Sequence, residues 1–434
     1  MEMEAKLAQI AKKAKQDKKL KFTSLIHHVN EANLVKCYQE LKKNKACGID
    51  GQTVEEYGEN LDANVKQLVE RLKVKAYRPK PAKRVYIPKA GRKEKRGLGI
   101  PSVEDKLVQI MLKKILERIY EADFLDVSYG FRPELSCHDA VKALNKEVMK
   151  KPINYIVEVD IKGFFDNVNH DWLQRCLEER ITDINLICLV KRFLKAGYVE
   201  EGKETATTVG TPQGGVISPL LANIYLHYVL DLWFEKKVKP EARGHIELIR
   251  YCDDFVVCCE SEKDARGFLD ALKTRLGKFG LEISEDKTKV LKFGRQVWKH
   301  AQKQKGKVET FNFLGFTHYC GKSRKGYFVM VHKTSKENLS RKLKEAKEWL
   351  KNIRCQLKLK EWWPILKSKL IGHYNYFGVS GNYRCLKQFY EMMFSLVFKW
   401  INRRSQKKSM SFEIYCKYVK FNPLPIPRIC YALY

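Results

Sequence analysis

Two apolar segments that carry aspartates at an end or a turn constrain this chain more than any other feature. Residues 156–160 are typical of a short strand that ends in Asp160. Residues 248–251 and 255–258, almost a hundred residues later, are typical of a hairpin with Asp253 and Asp254 at its turn. Carboxylates in such places cost free energy unless they bind cations, and their oxygens suit Mg²⁺. If these strands pair in one sheet, the acids form a metal site; isolated turn and capping aspartates are the alternative.

The segments around these strands differ in character along the chain. Residues 1–75 predict helices with a loop at 47–51, and residues 77–101 are rich in Pro and Gly around short strands such as 84–87. A helix follows, and beyond Lys333 apolar residues recur in steps of three and four: Leu339, Leu343, Ala346, Leu350, Ile353 and Leu357. We therefore predict an α+β fold with the acid-bearing sheet in its middle and a helical module at its end.

The net charge points to a polyanionic partner. Lys and Arg number 83 against 51 Asp and Glu, a formal charge of +32. Such an excess disfavours an enzyme of neutral metabolites and favours nucleic acid or an anionic membrane. Residues 321–434 hold 25 of the basic and only 6 of the acidic residues. A solvated helical face is the alternative for that segment, but the total charge favours contacts with phosphates.

Other features exclude further classes of protein. The longest apolar stretch, 220–234, is interrupted by Asn223, His227 and Asp231, so no membrane span is predicted. The N-terminus has charges but no apolar core of a signal peptide, so we expect a cytoplasmic protein. The 13 cysteines are odd in number and form no CxxC pair, which disfavours a disulfide framework or a zinc ribbon. We expect most of them to be small buried hydrophobic residues.

Several motifs resemble those of one enzyme family. The Tyr-Cys-Asp-Asp sequence at 251–254 resembles the YxDD motif of reverse transcriptases, and residues 160–166 resemble their first catalytic motif. Further segments resemble the bacterial group II intron-encoded reverse transcriptase/maturase family, in matching order over residues 48–316: 48–51, 77–79, 87–89, 96–101, 128–133, 210–215, 218–223, 287–288 and 313–316. Residues 372–377 and 402–409 match more loosely. Cys252 stands where alanine is commonest in the family, at a position that tolerates small residues.

The resemblance implies the right-hand polymerase fold and a division of the chain. Residues 1–75 would form an N-terminal helical extension, and residues 76–320 the fingers and palm. Residues 321–434 would form a basic helical thumb/maturase domain. We find no pattern of an HNH endonuclease, so we expect an endonuclease-lacking member of the family.

The resemblance also implies roles for the acids. Asp160, Asp253 and the carbonyl of Ile161 would bind two Mg²⁺ ions, and Asp254 would complete the acidic cluster. Two such ions, about 3.5–4 Å apart, can activate a 3′-hydroxyl group and stabilise a leaving pyrophosphate. Phe165 would stack against the incoming sugar and exclude a 2′-hydroxyl group; a core aromatic residue beside Phe164 is the alternative.

Further residues are assigned to substrates in the same way. Lys89 and Arg96 would meet the triphosphate, where charge-assisted contacts suit them, although either one fits a surface hairpin as well. Gln213 would line the nucleotide pocket or touch the template. Lys287 would assist the departure of pyrophosphate, unless it is a solvated lysine at a helix end. We expect RNA binding from four basic residues of the tail: Arg403, Arg404, Lys407 and Lys408.

The resulting hypothesis is an RNA-directed DNA polymerase that binds its own group II intron RNA to assist splicing and makes cDNA during retrohoming. Its partners would be the RNA template, intron RNA, a DNA primer or target, and dNTPs. Two alternatives stay open. One is a splicing-only maturase with a vestigial polymerase site, which the intact Asp160, Asp253 and Asp254 disfavour. The other is a reverse transcriptase that works without an intron, in defence or repair.

Overall fold

The structure is a computed structural model that describes residues 2–88, 95–211, 214–403 and 410–433, without the side chains of Pro88 and Arg96. The helices before the acidic hairpin are α1 (Glu2–Gln16), α2 (Glu31–Gln39), α3 (Val54–Gly58), α4 (Leu61–Lys73), α5 (Val103–Tyr120), α6 (Cys137–Lys150), α7 (Phe164–Asn167), α8 (His170–Glu178), α9 (Ile184–Lys195), α10 (Ser218–Leu226) and α11 (Lys239–Glu241). After it come α12 (Glu262–Gly277), α13 (Arg295–Lys303), α14 (Lys336–Gln356), α15 (Leu359–Phe377), α16 (Tyr383–Ile401) and α17 (Phe412–Phe421).

The described strands form three sheets. They are β1 (Ala82–Pro88), β2 (Lys95–Ile100), β3 (Tyr155–Asp160), β4 (Tyr198–Glu200), β5 (Lys203–Thr205), β6 (Ile246–Tyr251), β7 (Asp254–Cys259), β8 (Lys289–Lys292), β9 (Phe311–Phe313), β10 (Phe316–Lys322) and β11 (Phe328–Thr334). The central sheet has the order β6-β7-β3-β8 and is antiparallel throughout. The N-terminal sheet has the order β2-β1-β4-β5, and the C-terminal sheet the order β11-β10-β9.

The central sheet is covered on both faces, and successive side chains of its inner strands point into two different hydrophobic cores. Val157 and Val159 belong to the largest core, which also holds side chains from α1, α5, α10 and α12. Ile156 and Val256 face the other way and pack with α6 and with the C-terminal sheet. An apolar strand with a buried residue at nearly every position is what a sheet covered on both faces requires. The three predicted aspartates therefore lie where the strands of this sheet end or turn.

The C-terminal helices form a core of their own. Apolar side chains of α14–α17 pack together around Trp362, Leu366, Leu386 and Tyr415. Helix α14 starts directly after the C-terminal sheet, where the hydroxyl group of Ser335 accepts a hydrogen bond from the Asn338 amide at 3.3 Å. Strand β10 of the C-terminal sheet spans residue 320, which is the predicted boundary between the palm and the thumb.

The sequence predictions of secondary structure hold for the acid-bearing elements. The mixed α/β architecture is confirmed, as are the strand that ends in Asp160, the hairpin around the paired acids and the helices after Lys333. The expectation for the cysteines is wrong. All 13 are free thiols, and only six are buried: Cys37, Cys137, Cys176, Cys252, Cys258 and Cys259. Others, such as Cys188 and Cys355, lie on the exposed sides of helices.

Candidate active site

The acids predicted from the sequence meet at one end of the central sheet. Asp160, the last residue of β3, lies directly opposite Asp254, the first residue of β7. Opposite residues of an antiparallel pair point to the same face, with Cβ atoms about 4.5–5.5 Å apart. Asp253 lies in the two-residue turn before β7, next to Cys252, whose φ of 59° is in the left-handed region that tight hairpins use. The structure thus places the three aspartates in one cluster.

Negative charge in this cluster is only partly compensated. The side chain of Asp254 is exposed, but protein atoms crowd around it and displace part of its hydration. This desolvation, followed by the charges of Asp253, Glu158 and Asp160, raises the pKa of Asp254 to about 7. A carboxyl group whose pKa is raised this far by desolvation and by neighbouring acids is stabilised as an anion when a cation binds beside it.

Glu158 belongs to the same face and was not predicted. It precedes Asp160 by two residues in β3, so both side chains point the same way. Burial raises the pKa of Glu158 to about 7, the charge of Asp160 adds to the shift, and Lys289, directly opposite on β8, opposes it. The period of two residues along a strand was the signal in the sequence that could have revealed it.

Lys287 contacts the acidic cluster directly. Its Nζ donates a hydrogen bond to Oδ2 of Asp160 at 2.5 Å, and both side chains are about 40% exposed (38% and 41%). A turn at 284–288 carries the lysine there, and the Ser284 amide donates to the backbone carbonyl of Asp160 at 2.7 Å. The interpretation of Lys287 as a solvated lysine at a helix end is therefore wrong, because its ammonium group forms an ion pair in the site.

The donor set suits a hard divalent cation that also binds substrate. In the part of the chain that the structure describes, no three Asp, Glu, His or Cys side chains are arranged to hold a metal by themselves. Mg²⁺ in polymerase-type sites uses one or two carboxylates and takes its other ligands from water and substrate phosphates. Asp160 and the paired aspartates provide such carboxylates, so the residues fit the ion.

A buried arginine donates a hydrogen bond to the backbone of the acidic turn. Arg250 is fully buried, pairs with the equally buried Asp231 at 2.5 Å and donates to the carbonyl of Cys252 at 2.9 Å. It also donates to Asn223 Oδ1 at 3.0 Å and to Ser128 Oγ at 2.8 Å. A buried ion pair of this kind is tolerated when further hydrogen bonds satisfy its atoms. Arg250 therefore ties the turn to two other motif segments, and the sequence analysis missed it.

A glycine allows these segments to approach. The amide group of Asn223 donates to the carbonyl of Gly130 at 2.5 Å. A Cβ atom added at Gly130 would lie 2.5 Å from the backbone nitrogen of Cys252, closer than real Cβ contacts come. The backbone of the acidic turn thus rests on the backbone at residue 130.

Phe165 lines a cavity together with Asp166. The cavity has a volume of about 310 Å³ and lies between the N-terminal sheet and the loop at 205–211. Phe165 is 8% exposed and packs edge-to-face on Phe164 with ring centroids 5.4 Å apart, while its carbonyl accepts the Thr211 amide at 2.7 Å. The residue therefore packs in the core beside Phe164 and also lines the cavity, while its contact with a sugar stays a prediction.

The glycine-rich loop closes the same cavity. Gly210 and Gly214 have φ values of 90° and 107°, which favour glycine. A Cβ atom at Gly214 would lie 2.4 Å from the carbonyl oxygen of Gly99 and 2.8 Å from the side chain of Leu98, so any larger residue here would collide with β2. Arg84 of β1 also lines the cavity, with its guanidinium group 4.0 Å from the ring centroid of Tyr198. This arginine was not predicted.

Several predicted residues fall outside the description. Lys89, Gln213, Arg404, Lys407 and Lys408 lie outside the described residues, as does the side chain of Arg96, whose backbone pairs with Ile87 in the N-terminal sheet. Arg403 is described. It lies exposed just after α16, with its guanidinium group 5.5 Å from the ring centroid of Trp400. Over the described ranges, none of the helices has the length and apolar character needed to cross a membrane.

Comparisons with known proteins match this geometry. The profile of the reverse transcriptase (RNA-dependent DNA polymerase) family matches residues 87–318. The chain is 31% identical to the group II intron-encoded protein LtrA of Lactococcus lactis, over 89% of this chain and 76% of that protein. It is 32% identical to protein YkfC of Escherichia coli, over 56% of this chain and 71% of that protein. The nuclear intron maturase 4 of Arabidopsis thaliana is 27% identical over 35% of this chain.

The acidic strand ends of the central antiparallel sheet and the profile match define the class: an RNA-directed DNA polymerase. The motifs and the extended similarity to LtrA narrow it further. The chain belongs to the group II intron-encoded reverse transcriptase/maturase family. Its function is that of an intron-encoded reverse transcriptase and maturase in splicing and retrohoming.

Proposed function

We propose that Asp160, Asp253 and Asp254 are the catalytic carboxylates of cDNA synthesis, and that with the carbonyl of Ile161 they hold two Mg²⁺ ions. The observation that carries this proposal is the register of the central sheet, in which Asp160 lies opposite Asp254 beside the acidic turn. When bound, the ions would activate the 3′-hydroxyl group of a DNA primer and neutralise the leaving pyrophosphate.

The protein's own groups have distinct tasks in this proposal. Lys287 balances the charge of Asp160 before substrate arrives, as its 2.5 Å contact indicates, and then turns to the phosphates of the dNTP. Phe165 forms the wall beside the sugar, and Gln213, Lys89 and Arg96 contact the nucleotide. The buried Arg250 is a positioning residue that holds the acidic turn through the Cys252 carbonyl.

We propose that the C-terminal residues provide the thumb and the intron-RNA surface. The excess of 25 basic over 6 acidic residues at 321–434 supports contacts with phosphates, and Arg403, Arg404, Lys407 and Lys408 would contribute to them. The template RNA and the primer would pass between this module and the palm. The division into residues 1–75, 76–320 and 321–434 is part of the same proposal.

The test separates catalysis from RNA binding. Asp253→Asn combined with Asp254→Asn keeps side-chain size but removes two negative charges, so primer extension on an RNA template should fall by several orders of magnitude. Filter binding of the same RNA should not weaken, because affinity depends on the basic surface. EDTA should abolish extension by the unmodified protein. Extension at the normal rate by the double variant, or in EDTA, would refute the catalytic assignment.

A further inference from the structure

A second cavity lies in the C-terminal helices, apart from the candidate active site. It has a volume of about 510 Å³ and is enclosed by α14, α15, α16 and the turn at Gly315. This is within the range of about 300–1,000 Å³ that is typical of small-molecule sites. Its walls are aromatic and aliphatic, with Tyr376, Phe377, Phe389 and Met393 among them. None of the residues assigned to polymerisation lines it.

Polar groups at this cavity lack protein partners. His373 is 7% exposed, and neither of its ring nitrogens forms a hydrogen bond with the described residues. Burial lowers the pKa of His373 to about 4, so its imidazole is neutral and offers one donor and one acceptor. Nε of Arg341 is likewise buried without a partner in the described part of the chain. Such groups are satisfied when a polar ligand binds.

The rim of the cavity attracts an anion. Arg341 and Lys342 share a single carboxylate, that of Glu345, each at 2.9 Å. Lys369 lies on the face of Trp349, 4.9 Å from the ring centroid, and has no carboxylate partner among the described residues. Three cations against one anion leave a net positive charge at the edge of an apolar, aromatic cavity.

A glycine keeps one side of the cavity open. Gly372 lies inside α15, where glycine is less favourable than alanine. A Cβ atom added there would meet no other atom within 4 Å, so packing does not require a glycine. A larger side chain at this position would instead narrow the cavity, which Gly372 lines.

We propose that this cavity is a second nucleotide-binding site, which takes one unpaired nucleobase between its aromatic walls and the phosphate on Arg341, Lys342 and Lys369. A flat heteroaromatic ring matches the aromatic lining, to which His373 adds a ring stacked on Phe389 with centroids 3.6 Å apart, and its phosphate matches the charge. The nucleotide comes either from an unstacked position of bound RNA or from the free pool. Only the RNA source depends on the function proposed above.

Photocrosslinking tests the site on the full-length protein. Single-stranded RNA with 4-thiouridine or 6-thioguanosine at one position, and the corresponding free 5′-monophosphates, are irradiated with the protein in EDTA, and crosslinked peptides are mapped by mass spectrometry. We expect crosslinks in α15 or α16, at residues such as Tyr376 or Met393. A crosslink from RNA alone assigns the site to bound RNA, and one from the monophosphate assigns it to free nucleotides as well.

Two variants and a control complete the experiment. Gly372→Leu should lower the crosslink yield roughly tenfold, the loss of about one base contact, without lowering the melting temperature. Arg341→Gln should also lower the crosslink yield, because it removes one of the cations that would bind the phosphate. Gly267→Leu, at another open helical glycine in α12, should change nothing. The absence of cavity crosslinks, or equal yields in Gly372→Leu, would overturn the proposal. Primer extension in Mg²⁺, measured in parallel, shows whether the polymerase assignment stands independently.

Discussion

We expect the discrimination between ribose and deoxyribose to depend on a single side chain, that of Phe165. Phe165 lines the cavity together with Asp166, and in the proposed function the sugar of the incoming nucleotide lies against its ring. Phe165→Val removes part of this wall, so incorporation of ribonucleotides relative to deoxyribonucleotides should rise by roughly tenfold or more. Competitive extension with rNTPs and dNTPs measures the ratio, and Phe165→Tyr, which keeps the ring, is the control. An unchanged ratio in Phe165→Val would assign the residue to the core alone.

The acidic cluster should also affect the stability of the folded protein in the absence of substrate. The pKa of Asp254 is about 7 in the folded protein and near its usual value of about 3.9 in the unfolded chain. Between these values the folded state binds more protons than the unfolded state, so the free energy of unfolding falls as pH rises. Asp254→Asn removes this cost. In EDTA its melting temperature should exceed that of the unmodified protein by a margin that grows from pH 5 to pH 8.

Magnesium should shrink that margin, because the ion stabilises the ionised carboxylates of the unmodified protein more than those of the variant. Asp270→Asn, at an exposed aspartate of α12, is the control and should show no such dependence on pH. Thermal unfolding at both pH values, with and without Mg²⁺, gives all four comparisons. A constant margin from pH 5 to pH 8 would show that Asp254 is not under electrostatic strain.

At the scale of elements, the position of the acidic hairpin depends on its backbone contact with Gly130. Gly130→Ala would place a methyl group 2.5 Å from the Cys252 nitrogen and so displace the turn. A displacement of about 1 Å can cost on the order of 100-fold in rate, so extension at saturating substrate should fall by about that factor. RNA binding should be unaffected. Gly267→Ala is the matched control, and normal extension by Gly130→Ala would show that the turn is not held in this way.

The elements of this fold were predictable where their signal is local. Strand β3 and the acidic hairpin are each recognisable from an apolar run that ends or turns at an acid within a few residues. The apolar stripe that begins at Leu339 repeats along one helix. The support beneath the turn was not predictable. Arg250 finds Asp231 only because the helix that starts as α10 continues through π-helical turns at His227–Asp231. In the sequence, that aspartate merely interrupts an apolar stretch.

The site residues, too, were predictable where the signal is local and not where it depends on long-range contacts. Asp160 and the paired acids were predicted because strand pairing brings their ends together. The contact of Lys287 with Asp160 depends on the tight turn at 284–288, whose path the composition of that segment does not specify. The contact of Arg84 with the ring of Tyr198 in the cavity wall depends on the parallel pairing of β1 with β4, which lie more than a hundred residues apart. Local patterns therefore identify the carboxylates that we propose to be catalytic, while long-range topology determines what surrounds them.

The whole molecule combines a partly uncompensated acidic cluster with a strongly positive chain. The net charge of +32 attracts polyanions at long range, and more than half of it belongs to residues 321–434. The acids at the end of the central sheet are a local exception, where we propose that cations bind instead. This separation of charge predicts that binding and catalysis respond to different changes, and that salt concentration acts chiefly on binding.

Changing Arg403, Arg404, Lys407 and Lys408 to Gln tests this separation. Each phosphate contact that is lost should flatten the log–log dependence of RNA affinity on salt by roughly 0.7–0.9, because fewer counterions are released on binding. Extension of a saturating primer–template should persist. The control changes four exposed lysines at and after α13, with the same loss of charge: Lys299, Lys303, Lys305 and Lys307. Filter binding across a salt series compares the two variants. Equal flattening in both would mean that net charge alone is responsible, and an unchanged slope in the first would mean that the stretch after α16 is only a solvated surface.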